Sequence, residues 1–348
     1  MPGPLRADAL AHRLLVGAGA LLAGTALAVG CGGKGGGGGG PHVTTIELKS
    51  NPEHLSYGAG RVWASTGDGA LVRVDPARSK ATTVATNVPN GALAAAAGSV
   101  WIADESEGTL TRVDPRSGRR SEVKLVNTFR TDDSINAIVA GPGGLWVAAG
   151  NGVVPVDPRT GRPTGAPVVI GGDTRALVAA GESLWALIGT GYDPLPPSEP
   201  NGKPDSVRRP ARDYTLVRID ARRRRVVART GKITPSPRGL AVGNGLLWVM
   251  DTSNGNLLRL DPVTGRSAGA PFKSDGVQIA VDDRSVWVVD PRQNKVRRLD
   301  PRSGKSLGDT GEVPDKEGRS SEVSSIVSDG RVAWVGSVVD PILARVDP

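Results

Sequence analysis

The sequence predicts an all-β fold, a seven-bladed β-propeller of four-stranded antiparallel blades, and three repeated features carry that prediction. Each Trp lies in a similar apolar phrase, such as "SVWIA" or "SVWVV", and each phrase is followed by an apolar residue and Asp, as in "TRVDP". The chain stops one strand short of a complete seventh repeat, whereas a spare strand, "VTTIEL" (43–48), precedes the first repeat. The seven phrases are centred on Trp63, Trp101, Trp146, Trp185, Trp248, Trp287 and Trp334.

Each repeat divides into four short strands. A run of small apolar residues such as "ALAAAAG" (92–98) is predicted to form the innermost strand, the Trp phrase the second, the Asp phrase the third, and a Val-rich segment such as "SEVKLV" (121–126) the fourth. The second strand is apolar throughout, as expected when both faces of a sheet are covered. We therefore expect the Trp side chains to pack between neighbouring blades.

The turn after the third strand is recognisable in "DPRSG", "DPRTG" and "DPVTG". Pro suits a φ of about −65° and Gly suits a positive φ, so these phrases predict hairpin turns that begin at the Asp. Six of the seven repeats have Arg two positions before the Asp, and we expect this Arg to make a repeated structural contact.

The spare strand 43–48 is expected to pair with the third strand of the last repeat. That pairing closes the ring and removes two exposed sheet edges.

Residues 1–30 are predicted to be a signal peptide. Arg6 and Arg13 precede an uncharged apolar run at 14–30, which is the pattern of such segments. The phrase "LAVGC" that ends this run resembles the lipobox of bacterial lipoproteins. The resemblance implies that Cys31, the only cysteine of the chain, carries a lipid.

Residues 31–42 are predicted to be a lipidated, Gly-rich tether, and residues 43–348 the propeller. A coil of about nine Gly-rich residues has a typical reach of roughly 17 Å, which would hold a domain just off a membrane surface. The expected location is therefore the cell membrane, with the propeller lipid-anchored and facing outside the cytoplasm.

The repeat pattern "VW.A…G.L.RVDP.TG" resembles actinobacterial repeat propellers related to the YVTN and NHL families and to the streptogramin-lyase family. For most such proteins the resemblance implies a binding or scaffolding role. For the lyases it implies elimination in a cyclic depsipeptide by a His acid/base, with carboxylates that hold a magnesium ion. His54 is the only histidine within 43–348, so a His pair has no counterpart here and no catalytic residue is assigned.

The loops that lead into the innermost strands supply the candidate channel-face ligand residues. Loops of this type usually line the ligand-binding face of a propeller. Their mixed charges suit either a cation or a carboxylate, and the alternative is that they are solvated polar loops with no ligand. The candidates are Glu53, His54, Asp133, Arg175, Arg238, Asp275 and Glu322.

A Pro-rich insertion in the fourth blade, 192–214, breaks the period and is predicted to be an exposed arm. Such insertions often serve recognition, although a neutral surface loop is also tolerated. A basic run, 221–229, is expected on the opposite face, where it would attract anionic lipid or a cell-surface polymer, or would simply be a solvated turn. The candidate partner-binding residues of the arm are Tyr192, Arg208, Arg209, Arg212 and Tyr214.

Together these features favour a non-catalytic protein-interaction or ligand-sensing protein whose partner is an envelope protein or a small ligand. The alternatives are a divalent-cation-dependent lyase or hydrolase with its site over the central channel, and a carrier of small molecules or cations. No cofactor is expected, although a divalent cation in the channel is possible. The chain is expected to be monomeric. Its aromatic content of 3% argues against nucleic-acid and polysaccharide readers, which use exposed rings.

Overall fold

The structure is a computed structural model that describes residues 42–104, 107–125, 135–190, 213–234, 236–293, 295–308, 312–313, 323–337 and 339–348. These residues form 27 strands in seven antiparallel sheets, so the predicted all-β, seven-bladed propeller is confirmed. No helix within these ranges is long and apolar enough to cross a membrane.

The strands occupy the four predicted positions of each blade. The innermost strands are β2 (Pro52–Gly58), β6 (Leu93–Ala96), β10 (Ile135–Gly141), β14 (Asp173–Ala180), β18 (Pro237–Gly243), β22 (Gln278–Val281) and β25 (Val323–Ser328). The second strands, which hold the Trp residues, are β3 (Arg61–Thr66), β7 (Ser99–Ala103), β11 (Gly144–Ala149), β15 (Ser183–Thr190), β19 (Leu246–Asp251), β23 (Val286–Asp290) and β26 (Ala333–Ser337).

The outer half of each blade consists of the third and fourth strands. The third strands are β4 (Ala70–Asp75), β8 (Thr109–Val113), β12 (Gly152–Val156), β16 (Asp213–Asp220), β20 (Asn256–Leu260), β24 (Lys295–Leu299) and β27 (Ile342–Val346). The fourth strands are β5 (Lys80–Thr86), β9 (Arg120–Lys124), β13 (Val168–Val169), β17 (Arg225–Arg229), β21 (Phe272–Lys273) and, in blade 7, β1 (Val43–Glu47). In blade 6 the described residues form three strands, with a single bridge between Lys295 and Glu312 at the fourth position.

The ring is closed by the N-terminal strand, as the sequence predicts. β1 pairs antiparallel with β27, from Val43 opposite Val346 to Glu47 opposite Ile342. The backbone N–H of Asp347 also donates to the carbonyl of His42, at 3.0 Å. Each innermost strand contacts the innermost strands of both neighbouring blades around the whole circle. These strands therefore line a central channel.

The core consists of seven apolar clusters, one at each interface between blades, and each contains one Trp. Trp101 of blade 2, for example, packs with Ile135 and Leu145 of blade 3, and the same arrangement recurs around the ring. All seven Trp side chains are buried. The predicted inter-blade position of the Trp residues is confirmed.

The repeated Arg joins neighbouring blades, which is the structural contact that the sequence predicts. In five blades its guanidinium donates to a backbone carbonyl in the turn between the third and fourth strands of the next blade, at 2.5 to 3.3 Å. The pairs are Arg73 with Pro115, Arg112 with Arg159, Arg218 with Val263, Arg259 with Arg302, and Arg345 with Pro76.

In blades 2, 3, 5 and 6 the turn between the third and fourth strands is held by its Asp and its Gly, whereas Ser79 and Arg224 take the place of the Gly in blades 1 and 4. Asp114 Oδ1 accepts hydrogen bonds from the backbone N–H groups of Arg116 and Ser117, both at 2.8 Å, and these bonds hold the pKa of the carboxyl below its usual range. In blade 3, Gly161 has φ +73° and lies so close to Trp101 that an added Cβ would stand 2.7 Å from the indole ring. The turn therefore also anchors the packing between blades.

The propeller has two distinct faces because the strand direction alternates within each blade. The lower face carries the turns between first and second strands and between third and fourth strands. The upper face carries the turns between second and third strands and the connections that lead into the next blade. The described residues on either side of the blade-four insertion, Thr190 of β15 and Asp213 of β16, pair with each other at the upper face.

Candidate functional site

The upper mouth of the channel is shaped by β-bulges in the innermost strands. In β2, β14 and β18 the pairing register skips one residue near the upper end, and the skipped residues are Glu53, Arg175 and Arg238. A bulge bends the strand and re-aims the side chain of the extra residue. The sequence placed these residues and His54 in loops before the strands. That placement was wrong by a few residues, because the bulge lets a polar or charged residue belong to an otherwise apolar strand.

The ring topology groups these residues into two sets. Arg175 and Arg238 are exposed and occupy equivalent positions on β14 and β18, which are in contact. Glu53 and His54 lie on β2 in blade 1, which is three blades away from blade 4 in one direction and from blade 5 in the other. The structure thus places Arg175 and Arg238 on neighbouring innermost strands, on the opposite side of the channel from the strand that carries Glu53 and His54.

The Glu53 carboxylate bridges two blades. Its Oε2 accepts a hydrogen bond from Nδ2 of Asn90, which lies in the connection leading into blade 2. The Oδ1 atom of Asn90 is buried and accepts no hydrogen bond from the residues that the structure describes. Sequence reasoning missed Asn90, because a single Asn in a connecting loop gives no signal until the neighbouring blade is placed.

Burial dominates the chemistry of His54. It is opposite Ser65 in the β2–β3 ladder, and the positions equivalent to His54 in blades 3, 4 and 5 are Ala137, Ala176 and Gly239. Burial lowers its pKa to about 4, so the imidazole is neutral at pH 7. A base of this pKa is weak compared with the near-neutral value that suits proton abstraction at physiological pH.

Two buried carboxylates at the upper ends of second strands were also absent from the candidates predicted from the sequence. Asp251 and Asp290 lie three positions after the Trp in blades 5 and 6 and are 3% and 1% exposed. Asp251 accepts hydrogen bonds from Ser253 Oγ at 2.5 Å and Asn254 Nδ2 at 2.7 Å, and Asp290 pairs with Arg297 at 3.3 Å. The signal was present in the phrases "LWVMD" and "VWVVD", where Asp ends an apolar strand. Their hydrogen bonds stabilise the upper turns.

The remaining candidates are not gathered at the channel. Asp275 is exposed, and its Oδ1 atom lies beside Gly255 of blade 5. Tyr214 is in β16, half-buried, and packs against the apolar cluster between blades 4 and 5. The candidates that lie outside the described residues are Cys31, Asp133, Tyr192, Arg208, Arg209, Arg212 and Glu322.

Two concavities of the described surface lie away from these candidates. One of about 270 Å³ is at the outer rim between blades 4 and 5, beside Ile233 and Arg259. Another of about 390 Å³ is on the lower face of blades 5 to 7, beside Asp283 and Arg331. Within the described ranges, no three His, Cys, Asp or Glu side chains are close enough to hold a metal ion together.

Solved structures with a similar fold come from proteins of different activities. A catalytically inactive virginiamycin B lyase from Staphylococcus aureus, solved with quinupristin, aligns with a TM-score of 0.67 at 16% identity, over 88% of this chain and 99% of that one. Hydrazine synthase from Kuenenia stuttgartiensis gives 0.60 at 16% identity, over 87% and 97%. The β-propeller domain of Cps50 (Swd1) from Myceliophteria thermophila gives 0.64 at 14% identity, over 88% and 99%.

These likenesses establish the propeller fold and nothing finer, because fold does not determine function at such identities. No protein-family model matches the chain, and no curated protein matches it.

Proposed function

We propose that this protein is a non-catalytic recognition protein, anchored to the outer side of the cell membrane through Cys31, that binds a protein partner with the arm on its upper face. The observation that carries the proposal is the geometry at the base of the arm. β15 and β16 are each eight residues long and pair without interruption from Ser183 opposite Asp220 to Thr190 opposite Asp213. The insertion thus leaves and re-enters the blade at one point, on a hairpin longer than its counterparts in the other blades.

This geometry supports recognition because the hairpin that carries the arm is held in place by the core of the propeller and not by the arm. The apolar cluster between blades 4 and 5 includes Trp185, Leu187 and Leu216 of the same hairpin, so its base is held by core packing. The Thr190 hydroxyl also reaches the carbonyl of Asp213 across the base, at 3.5 Å. A firmly held base reduces the entropy lost when a partner binds at its end.

Lyase activity has weaker support. The similar fold of virginiamycin B lyase raises the question of whether this chain is also a lyase. An elimination, however, needs a base that accepts a proton near neutral pH. His54 is the only histidine of the seven blades, and burial lowers its pKa to about 4. We therefore favour recognition over depsipeptide cleavage.

The test compares the anchored full chain with a variant in which residues 191–212 are replaced by Asn-Gly. This dipeptide closes a two-residue hairpin turn, so Thr190 and Asp213 keep their pairing. Both proteins are crosslinked on intact cells, purified and analysed by mass spectrometry. We expect one envelope protein in stoichiometric yield with the parent and at least tenfold less with the variant, whose melting temperature stays within about 2 °C of the parent.

A matched control keeps the arm and replaces only Arg208, Arg209 and Arg212 by Gln, which separates charge from the rest of the arm. The same proteins recovered equally with and without the arm would contradict the proposal. Chelator-sensitive linearisation of a cyclic depsipeptide by the purified protein would replace it with the lyase alternative.

A further inference from the structure

The net charge of the protein is concentrated in one ring on the lower face. The ring consists of the exposed Lys and Arg residues in the six turns that follow the third strands of blades 1 to 6, together with those at the first position of the fourth strands, and we call it the basic ring. These segments hold fourteen cations against six Asp residues, an excess of +8 that equals the formal net charge of the whole chain. The cations are Arg78, Lys80, Arg116, Arg119, Arg120, Arg159, Arg162, Arg222, Arg223, Arg224, Arg225, Arg266, Arg302 and Lys305.

The other described turns do not share this bias. On the lower face, the turns between first and second strands are nearly balanced, and on the upper face the exposed charges are of both signs. The charged residues of those lower turns are Arg61, Arg284 and Arg331 against Glu182, Asp282, Asp283 and Asp329. The exposed charges of the upper face include Lys49, Arg175, Lys232, Arg238, Lys273 and Arg292 together with Glu47, Glu107, Asp275 and Glu312.

The chain enters the propeller on the same lower face. β27 runs from the upper face to the lower face, and its last residue, Val346, is opposite Val43, the first residue of β1. His42 is bound there through the N–H of Asp347. In blade 7, His42 and Asp347 therefore lie at the position that the basic turns occupy in the other blades.

Exposed apolar side chains lie within the basic ring. Val263, in the turn of blade 5, is 59% exposed, and Leu307, just after the turn of blade 6, is 43% exposed. Arg recognises phosphate groups through paired N–H donors, and apolar side chains beside it enter the boundary between headgroups and acyl chains. A surface that combines the two suits a lipid bilayer better than a soluble polyanion.

We propose that the basic ring docks on the anionic headgroups of the membrane that carries the anchor, so that the lower face lies against the bilayer and the upper face points away from it. The orientation rests on the proposed anchoring at Cys31, whose tether joins the propeller on the docked face. It places the blade-four arm on the side remote from the membrane, where a partner can reach it.

The docking itself is tested without the lipid. The chain from residue 32 onward contains the complete ring, because residues 43–348 alone close it. This protein is mixed with vesicles of phosphatidylcholine containing 30% phosphatidylglycerol, or with pure phosphatidylcholine, in 0.1 M NaCl, and its binding is measured by sedimentation. We expect binding to the anionic vesicles only, and loss of that binding in 0.5 M NaCl, since salt screens such contacts.

A pair of charge-matched variants locates the contact. The ring variant carries Arg119→Gln, Arg162→Gln, Arg222→Gln and Arg225→Gln; these four side chains are exposed and form no hydrogen bond or ion pair with other described residues. The control removes four exposed cations from the upper face: Lys49→Gln, Arg175→Gln, Arg238→Gln and Arg292→Gln.

Each cation that reaches an anionic surface contributes about 1 kcal/mol, or roughly fivefold in binding. We expect at least a tenfold loss for the ring variant and less than threefold for the control. Equal losses in both variants, or no vesicle binding by the parent, would overturn the proposal. Ring-dependent binding to a soluble polyphosphate without binding to vesicles would overturn it too and reassign the face to an anionic polymer. We expect the Asn-Gly arm variant to bind vesicles like the parent. Failed partner capture together with normal docking would therefore count against the proposed function alone.

Discussion

Truncation of Ile46 tests whether the N-terminal strand closes the ring. Ile46 lies in β1, is opposite Leu343, and is 5% exposed within the cluster between blades 7 and 1. That cluster also contains Trp334 of blade 7 and Leu55 of blade 1. If β1 is an integral strand of blade 7, Ile46→Ala opens a cavity in the interface that joins the last blade to the first.

The magnitude follows from the atoms removed. Ile→Ala deletes three carbon atoms, and at about 0.8 kcal/mol per buried methylene the lost burial amounts to roughly 2.4 kcal/mol. The cavity adds to this, so we expect a loss of about 3 kcal/mol in the free energy of unfolding, within the range of about 2–5 kcal/mol measured for such truncations. For a domain of this size the melting temperature falls by roughly 5–10 °C.

The assay is urea unfolding and thermal melting of Ile46→Ala beside Thr45→Ala. Thr45 is the neighbouring residue in β1, is only partly buried and points to the other side of the strand, so its truncation is expected to cost about 1 kcal/mol or less. If Ile46→Ala unfolds within 0.5 kcal/mol of the parent, or no earlier than Thr45→Ala, the strand does not close the ring in solution.

Two further predictions concern the channel and the blade interfaces. Because the folded pKa of His54 is about 4 and the unfolded value is 6.5, the unfolded state binds more protons between these pH values, and stability present above pH 6.5 is lost as the pH falls towards 4. Urea unfolding at pH 7 and pH 4.5 should show a loss of about 2–3 kcal/mol that His54→Gln abolishes; an unchanged pH dependence in that variant would assign the loss to other groups. Gly161→Ala should cost about 2–4 kcal/mol, because it combines a positive φ with a clash against Trp101 and Val123, whereas Gly98→Ala, with φ +74° and open space around it, should cost about 1 kcal/mol. Equal unfolding midpoints for the two variants would show that the turn does not press on the indole.

The repeat made the architecture predictable. The spacing of the Trp phrases gives the number of blades, and the unmatched strand at 43–48 gives the closure, because both follow from counting strands. The Asp-Pro turns were predictable from local backbone preferences, and Asp114 caps its turn as expected.

The channel mouth was less predictable, because its geometry depends on irregularities without a sequence signature. Nothing in the residues around Glu53, Arg175 or Arg238 marks a bulge, and a shift of one residue in a strand reverses the face that a side chain occupies. The contact between Glu53 and Asn90 joins two blades and appears only when both are placed.

The repeated turn also shows which of its residue types the fold requires and which it allows to vary. The fold uses the Asp as an acceptor for backbone N–H groups, and it needs a residue with positive φ four positions later. That residue is Gly in blades 2, 3, 5 and 6, where Gly161 of blade 3 lies against Trp101, but Ser79 in blade 1 and Arg224 in blade 4. The fold does not require Arg at the second residue after the Asp: Arg116 and Arg159 stand there in blades 2 and 3, whereas Val263 stands there in blade 5, and all three are exposed while the turn keeps its hydrogen bonds. Cations at such positions gain little from the fold, and their mutual repulsion around the ring opposes it. Their accumulation on the face where residue 42 enters the ring is therefore better explained by something outside the propeller. In the docking that we propose, an anionic membrane surface would supply the compensating charge.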